Sequence, residues 1–514
     1  MFASFPPDAA ESLMRFVFRT GAMRLSAWCR YLLIAALLTG CVADSYRDAP
    51  QAPDKAWHPA RSPGAASDFS VASNPEVLGE GADVRVNATY NLAQLIDLAQ
   101  KNNPSTRVAW ERARQAALAV GMVEASFLPV LTGNVIGGWT EVVTPVPDLQ
   151  GGTRDLSTTV QGAHPNLALQ WLVFDFGQRQ AWREAAKQDA LAANVSFNGT
   201  HQALIYAVTQ AYYRYDLAET SVKFADQALR NSREVKSAAE ARMQNGTGTR
   251  IEVAQANQLA AQAKLRRVQA EDSRLDAYQE LIGAVGISPR SQIRIVSVAN
   301  RRLPTASSVP TDRIIETALA RRPDVLASYA AVKASKANER AADAAFLPKV
   351  YLSGIAASNQ TGFQVNNLPE VGVDSGSTGV FVGVSIPLYD GGIRNARRKR
   401  AKSETAAARA GLEQTRQTAT REIVIASDNL RSALEAFSAA SELKAAASLT
   451  YDAAFDAYRN GLGTITDVTF ADTGLLEARQ AQADAHAAAL VAAASLAFSL
   501  GAMTSAAAPV VASQ

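Results

Sequence analysis

Side chains that could perform catalysis or hold a metal ion are few in this chain of 514 residues. The four histidines, His58, His164, His201 and His486, show neither metal-ligand spacing nor neighbouring cysteines. The sequence contains no nucleophile elbow, phosphate-binding loop or paired catalytic motif. We therefore predict a protein without enzymatic activity, metal or cofactor.

A basic run, Arg397-Arg398-Lys399-Arg400, resembles a nucleic-acid-binding signal, but it begins a predicted long helix directly after a predicted strand. The net charge is only +3, so no overall positive potential favours binding to nucleic acid. Contact with lipid headgroups or simple solvation explains the run better.

One residue lies in the setting of a covalent modification. Residues 1–40 have the pattern of an export signal, with Met23 as an alternative start, and the apolar run Tyr31 to Leu38 is too short to span a bilayer. Leu38-Thr39-Gly40-Cys41 then resembles the lipobox of bacterial lipoproteins, in which the cysteine becomes the acylated first residue. The alternative is an ordinary cleaved signal that happens to end in cysteine.

The residues after Cys41 agree with a lipid anchor. The only other cysteine, Cys29, lies in the segment to be removed, so the mature chain has no disulfide. Val42 rather than aspartate follows Cys41, which in lipoproteins favours the outer membrane. Residues 41–87 are rich in Pro, Ala, Ser and Asp without periodicity, which predicts a lipidated tether.

The elements that must position the remaining candidates occur twice. Phe127-Leu128-Pro129 recurs as Phe346-Leu347-Pro348, and an Asp-x-Gly break at Asp175 recurs at Asp390, at an offset of about 215 to 220 residues. The predicted organisation is a first repeat at 88–290, a linker at 291–310, a second repeat at 311–503 and a disordered tail at 504–514.

Each repeat contains one very long predicted helix. Between about Gln178 and Asn245, and between about Ile393 and Asn460, no proline occurs and one glycine interrupts each segment. Each helix would be about 100 Å long at 1.5 Å per residue. Both carry heptad seams of large residues beside alanine, which predict winding around neighbouring helices. The seams are Val208, Tyr215, Val222 and Leu229 with Ala211, Ala218 and Ala225, and Ile423, Leu430 and Phe437 with Ala426, Ala433 and Ala440.

Strand character appears between the helices of each repeat. The candidates are about 130–140, 166–174, 349–356 and 379–388, and the segments that join them, about 141–165 and 359–378, are predicted as outward-facing loops. About ten residues with one apolar face suit a tilted transmembrane strand, although alternation alone also fits a small soluble sheet. Four strands leave two open edges, which hydrocarbon does not tolerate, so we predict closure by three copies into twelve strands.

Together these features resemble the TolC family of outer-membrane efflux proteins. The resemblance covers about residues 88–503 and includes Leu388 to Gly392 before the second long helix, and Tyr458 to Gly461 leading through Thr464 to Asp467-Val468. It implies a mainly α fold with a small membrane β-barrel portion, in which duplicated long helical hairpins of a homotrimer form an α-barrel. It also implies a passive outer-membrane duct of a tripartite efflux or type I secretion system, which receives cargo from a periplasmic adaptor and an inner-membrane pump.

Two hairpin tips are the predicted docking sites for the adaptor and pump. They are Asn245, Gly246, Thr247, Gly248 and Thr249, and Asn460, Gly461, Leu462, Gly463 and Thr464. Glycine at these positions supplies the positive φ that ends one helix, and threonine can cap the next. The docking role itself is implied by the resemblance.

Two carboxylates near the second tip, Asp452 and Asp456, lie four residues apart on one helical face, where the first repeat has Ser237 and Ala241. A threefold axis would make them a ring of six carboxylates, a periplasmic aperture that prefers cations. A solvated helix face is the alternative.

Two other classes of protein share parts of this pattern. A periplasmic adaptor lipoprotein also has a long hairpin, but a single one flanked by small β-domains. A coiled-coil scaffold leaves the strands unexplained. The sequence does not identify the cargo.

Overall fold

The computed structural model describes residues 88–148, 151–299, 301–304, 312–366 and 368–504. The predicted export signal, the tether with Cys41, and all but the first residue of the predicted tail lie outside the described residues.

The described elements form two repeats of one plan. Their order is β1 (Thr89–Tyr90), α1 (Leu92–Asn102), α2 (Pro104–Ala125), β2 (Val130–Pro147), β3 (Thr153–Phe174), α3 (Gln178–Gln244), α4 (Arg250–Val285), β4 (Arg294–Ile295), α5 (Asp312–Leu319), α6 (Pro323–Ala344), β5 (Lys349–Val365), β6 (Val371–Ser385), α7 (Ile393–Arg459) and α8 (Ile465–Ser499). The long helices α3 and α7 have 67 residues each, which makes each about 100 Å long. The predicted mainly α fold with duplicated long hairpins is confirmed.

The helices pack as a single layer with two open edges. Near the strands their order is α2, α3, α6, α7, and toward the tips it is α4, α3, α8, α7. The predicted seams are the contacts inside this layer, since Val208, Ile423 and Leu430 are at most 1% exposed. Helices α2 and α4 lie at one edge, and α7 lies at the other.

The inter-repeat connection is fastened across two helices of the layer. The Tyr212 hydroxyl of α3 donates to the Val296 carbonyl, and the Asp216 carboxylate accepts from the Val298 amide at 3.0 Å. His486 of α8 contacts the Arg301 carbonyl at 2.8 Å. The connection therefore ties the two repeats together beside β1 and β4, which pair in parallel.

The long strands form one antiparallel sheet in the order β2, β3, β5, β6, so β2 and β6 are its edges. The prediction of loops at 141–165 and 359–378 was wrong. Strands β2 and β3 remain paired as far as Pro147 and Thr153, and β5 and β6 remain paired as far as Phe363 and Val371. Cross-strand pairing satisfies the backbone there despite residues of low strand propensity.

The last strand also differs from its prediction. Strand β6 ends at Ser385, three residues before the predicted end at 388. Pro387 explains the early end, since it has no N–H to donate to the ladder.

Among the described residues, one helix, α8 (Ile465–Ser499), is long and apolar enough by composition to cross a membrane. Its alanines and leucines pack against α7 and α3, and many of them are buried. Helix packing therefore accounts for its apolar composition.

Candidate functional site

The sheet has two faces of opposite character at the end nearest the long helices. The face that contains Val382 carries Leu131, Val135, Trp139, Leu167, Leu169, Trp171, Leu352, Val380 and Val384. The opposite face carries the polar residues Thr132, Asn134, His164, Asn166, Gln170, Ser353, Asn359, Ser375 and Ser377, interspersed with the apolar Val130, Ile136, Ile355 and Phe381. Successive side chains alternate between the two faces. One face suits lipid and the other suits a water-filled lumen, as in transmembrane barrels.

The apolar face shifts along the strands from one edge to the other. It is centred near Val135 on β2 and near Val382 on β6. Pairing across the sheet runs from Phe381 on β6 through Ser353 and Gln170 to Val130 on β2. A line drawn from Val382 straight across the strands therefore meets β2 about six residues before Val135. Six residues of about 3.3 Å across three strand spacings of about 4.8 Å give a slant of roughly 50°. For the apolar band to lie in the plane of the membrane, the strands must be tilted from the membrane normal by about this angle. Strands of transmembrane barrels have a similar tilt.

A salt bridge fixes the corner where β3 turns into α3. The Asp175 carboxylate accepts from the Arg179 amide and from Arg179 Nε, both at 2.9 Å, and both side chains are buried. Arg179 Nη1 donates to the Ser126 carbonyl at 2.8 Å, and its guanidinium lies over the Phe127 ring. Gly177 between the partners has φ 92°, a conformation that glycine tolerates. This corner clamp connects the membrane strand rigidly to the long helix.

The second repeat builds the same clamp at its own corner. Asp390 accepts from Arg394 Nε at 2.8 Å and from the Arg394 amide at 3.0 Å, and hydrogen bonding to that guanidinium holds the pKa of Asp390 below its ordinary value. Arg394 lies over Phe346, the counterpart of Phe127. Neither Arg179 nor Arg394 was predicted, although an Asp-x-Gly-x-Arg pattern at matched positions indicates both.

Both predicted hairpin tips have the backbone geometry that their sequences favour. Asn245 and Asn460 follow the last helical turns, and Gly246 and Gly461 have φ 73° and 80°. A Cβ on Gly248 would come within 2.9 Å of the Met243 backbone nitrogen, so the first tip requires glycine there as well.

Threonine caps the helix that returns from each tip. Thr249 Oγ1 accepts from the Glu252 amide at 3.2 Å. Thr464 Oγ1 accepts from the Asp467 amide at 3.3 Å, and the Asp467 carboxylate accepts from the Thr464 amide at 3.0 Å. The middle residue differs between the two tips. Thr247 of the first tip corresponds to Leu462 of the second, and Leu462 is 86% exposed.

A single arginine links the two tips. Arg242, at the end of α3, donates from Nη1 to the Tyr458 carbonyl of α7 at 2.9 Å, and its guanidinium lies 4.9 Å from the centre of the Tyr458 ring. The same arginine approaches Glu252 at 3.8 Å and donates to the Thr247 carbonyl at 3.2 Å. Burial raises the pKa of Tyr458, so its phenol stays protonated and donates to Glu252 at 3.5 Å. We call these four residues the tip latch.

The predicted aperture residues, Asp452 and Asp456, are both exposed on α7. A different acid is buried nearby, since Asp472 of α8 is 4% exposed and accepts from Asn231 of α3 at 3.0 Å. Burial raises the pKa of Asp472, and burial with the charge of Asp472 raises that of Tyr451. Asp472 was not predicted, because no local sequence pattern distinguishes it from a solvated acid. No group of three or more potential metal-binding side chains occurs in the described part of the chain.

The two edges of the helical layer carry exposed heptad rows. On α4 the row is Ile251, Ala254, Gln258, Ala261, Leu265, Val268, Asp272 and Leu275. On α7 it is Ile425, Asn429, Ser432, Ala436, Ala439, Leu443, Ala446 and Thr450. A spacing of three and four residues is that of coiled-coil contact positions. Each edge therefore presents a second seam that the single chain leaves open.

Slanted strands with one apolar face, joined rigidly to helical hairpins about 100 Å long, define the class of outer-membrane channel subunits. The chain belongs to the outer membrane efflux protein family, whose sequence pattern matches residues 95–287 and 314–502. The predicted resemblance, channel function and outer-membrane location are thereby confirmed. A periplasmic adaptor and a coiled-coil scaffold, the two alternatives, are excluded.

Proteins of similar sequence include outer-membrane components of different transport systems. The cation efflux system protein CusC of Escherichia coli K12 is 26% identical over 465 residues, which cover 88% of this chain and 94% of CusC. The outer membrane efflux protein BepC of Brucella suis is 27% identical over 414 residues, 79% of this chain and 84% of BepC.

Solved structures share the fold. The outer membrane protein VceC of Vibrio cholerae has a TM-score of 0.64 at 22% identity, covering 80% of this chain and 96% of VceC. The CmeC outer membrane channel of Campylobacter jejuni has a TM-score of 0.67 at 19% identity, covering 80% of this chain and 85% of CmeC.

Proposed function

We propose that three copies of this chain close into one continuous duct, and that the tips gate its periplasmic end while docked to an adaptor and an inner-membrane pump. The open edges of the sheet and of the helical layer carry this proposal. Unpaired backbone groups on β2 and β6 each cost several kcal/mol in hydrocarbon, so the sheet requires partner strands on both sides. Four strands from each of three copies make a barrel of twelve.

The edges are different and complementary, which favours head-to-tail closure. Strand β6 and helix α7 form one edge, and β2 with α2 and α4 forms the other. The α4 row contributes the large residues Leu265, Val268 and Leu275, whereas half of the α7 row is alanine or serine. Large residues opposite small ones permit close approach of antiparallel helices. A contact between unlike edges repeats around an axis and closes as a ring.

The lumen face of the sheet supports passage of varied cargo. From Val130 to Gly138 on β2, and in the register rows across the other three strands, that face carries no Asp, Glu, Lys or Arg. Its hydrogen-bonding groups are neutral amides and hydroxyls, together with His164. Charge therefore does not select cargo in the membrane segment. The related proteins range from a cation efflux component to a pyoverdine export protein, and we leave the cargo class open.

Gating by the tips follows from the latch. Arg242 and Tyr458 join the first hairpin to the second, so the hairpins cannot separate without breaking a charged hydrogen bond. Core residues near the tips include many alanines, which bury little area and let helices shift at low cost. The latch therefore holds the closed state, and separation of the hairpins opens the duct.

Surfaces beside the tips fit a helical partner. Leu462 and Phe470 are 86% and 80% exposed. An open groove of about 400 Å³ lies between α4 and α8, lined by Gln255, Gln258, Leu259, Gln262, Thr466, Thr469, Phe470 and Thr473. Apolar anchors beside amide and hydroxyl groups match the face of an amphipathic hairpin, the partner expected of a periplasmic adaptor.

Asp452 and Asp456 remain the proposed aperture, and Cys41 the proposed lipid anchor. Substitution of both aspartates by asparagine is expected to lower the cation preference of the reconstituted channel, and unchanged selectivity would assign them to a solvated face. Cys41→Ser is expected to abolish incorporation of labelled palmitate.

Cysteine crosslinking tests the ring. Leu265→Cys is combined in turn with cysteine at Ala439, Leu443 or Ala446 of the α7 row, and the protein is oxidised in the membrane. Covalent dimers and trimers are expected for at least one pair. The matched control is Leu265→Cys with Ala440→Cys, because Ala440 is buried inside its own chain. Monomers from every pair would refute head-to-tail assembly.

A further inference from the structure

The lumen face of the sheet holds one side chain whose charge depends on modest changes of pH. Between Lys349 at the helical end and Arg154 near the outer turn, this face of the described strands carries no Asp, Glu, Lys or Arg. Its ionisable groups over that length are the imidazole of His164 on β3 and the phenol of Tyr351 on β5. Histidine changes charge between pH 5 and 8, whereas tyrosine does not. His164 therefore decides whether this length of the lumen face is charged.

The contacts of His164 suit both forms of its ring. His164 pairs with Ile136 of β2, and its Nδ1 donates to Oδ1 of Asn359 on β5 at 3.3 Å. An amide oxygen is an acceptor, so this bond places the first proton on Nδ1 and leaves Nε2 to gain the second. Both ring nitrogens of the imidazolium are donors, so the bond to Asn359 persists in the charged form. Protonation therefore adds a charge without breaking this hydrogen bond.

Charged groups that could compensate His164 lie on the other face of the sheet or far along the strands. The strand carboxylates that point outward are Glu141, Asp155 and Asp374. Glu370 lies against the outer side of Gly362, and Asp148 lies beyond the end of β2, roughly 40 Å from the level of His164. Arg154 is roughly 33 Å from His164 along β3. A proton on His164 therefore gives the lumen face a positive charge that nothing on that face of the described strands cancels.

We infer that His164 is a selectivity residue of the duct: in acid, three imidazolium groups, one from each copy, make the membrane segment favour anionic over cationic cargo. This inference rests on the proposed ring, which brings the three copies of His164 around one axis. While His164 is neutral, charge selects no cargo there. The segment thus changes from a neutral passage to an anion-attracting one as the pH falls.

The size of the barrel determines how strongly three such charges act. Twelve strands tilted by about 45° give a backbone radius of about 13 Å, and an inward imidazole reaches to within about 8 to 9 Å of the axis. The Debye length is about 10 Å at 0.1 M salt, so the charges act on the whole cross-section. Three unit charges at that distance in water enrich anions on the axis about threefold. At about 1 M salt the Debye length falls to about 3 Å and the enrichment disappears.

Relocating the histidine tests this role. His164→Gln removes the charge and keeps a group that can bond to Asn359. Two further variants carry His164→Gln together with either Asn359→His, on the lumen face, or Gln360→His, the matched control on the outer face. All are made in the Arg242→Met background, which opens the inner end, and assembly is checked as heat-stable trimer on gels.

The measurement is the reversal potential under a potassium chloride gradient in planar bilayers, at pH 5 and at pH 8. At about 0.1 M salt, the chloride-to-potassium permeability ratio of the parent channel is expected to rise about threefold in acid, and at about 1 M salt it should not change. His164→Gln should remove this rise, Asn359→His should restore it and Gln360→His should not. An equal rise with and without His164, or equal restoration from both faces, would overturn the inference. Absence of any trimeric channel would instead count against the ring on which it rests.

Discussion

Arg242→Met is the sharpest test of the tip latch, because methionine keeps an apolar stem and removes the guanidinium. The change deletes the hydrogen bond from Nη1 to the Tyr458 carbonyl at 2.9 Å and the cation–π contact at 4.9 Å. A hydrogen bond from a charged donor contributes about 1.5 to 3 kcal/mol, and a partly exposed cation–π contact about 1 kcal/mol. The Arg242 side chain retains only 19% exposure, so solvent weakens these contacts moderately. We expect the closed state to lose about 2 to 3 kcal/mol per chain, a 30- to 150-fold shift toward opening.

Conductance of purified trimers in planar bilayers measures this shift as open probability. Arg459→Met is the control, because Arg459 is exposed and lies over Phe455 of its own helix. The single substitution at Arg242 is expected to turn rare openings into a dominant open state, and Arg459→Met is expected to behave as wild type. Equal open probabilities for both variants would refute the latch.

Three further outcomes are expected. Val382→Arg places a cation on the lipid face at a cost of about 2 to 4 kcal/mol and should reduce heat-stable trimer in the outer membrane, whereas Phe381→Arg on the lumen face should not. Asp472→Asn should raise the melting temperature at neutral pH but not at acidic pH. Burial raises the pKa of Asp472, so the folded protein favours the protonated carboxyl group. The folded protein therefore loses stability as the pH rises above the ordinary pKa of a carboxyl group. Gly246 has φ 73°, so Gly246→Ala should lower the free energy of unfolding, measured by denaturant titration, by about 1 to 2 kcal/mol. Gly283 lies in a helix with open space around it, so Gly283→Ala should leave that free energy unchanged or raise it.

Local periodicity was sufficient to predict the long helices and the duplicated plan. Both properties depend on residues close in sequence, such as the heptad spacing of Ile423 and Leu430, and on the absence of proline. The same local character explains why the hairpin tips were found, since Gly246 and Gly461 have positive φ whatever surrounds them.

Features made by distant parts of the chain were missed or misjudged. Arg242 and Tyr458 are far apart in sequence, and nothing around either residue indicates the other. The strands continue through 141–165 and 359–378 because pairing with a neighbour satisfies their backbone, a tertiary effect that composition does not show.

Unlike edges have a genetic consequence. A copy damaged only along β6 and α7 still offers a sound β2, α2 and α4 edge, so it can join a normal neighbour and then prevent the ring from closing. In a cell that makes equal amounts of damaged and normal chain, random mixing in threes leaves about one ring in eight fully normal. Seam mutations should therefore be dominant over the normal gene, whereas mutations that prevent the chain from folding at all should be recessive.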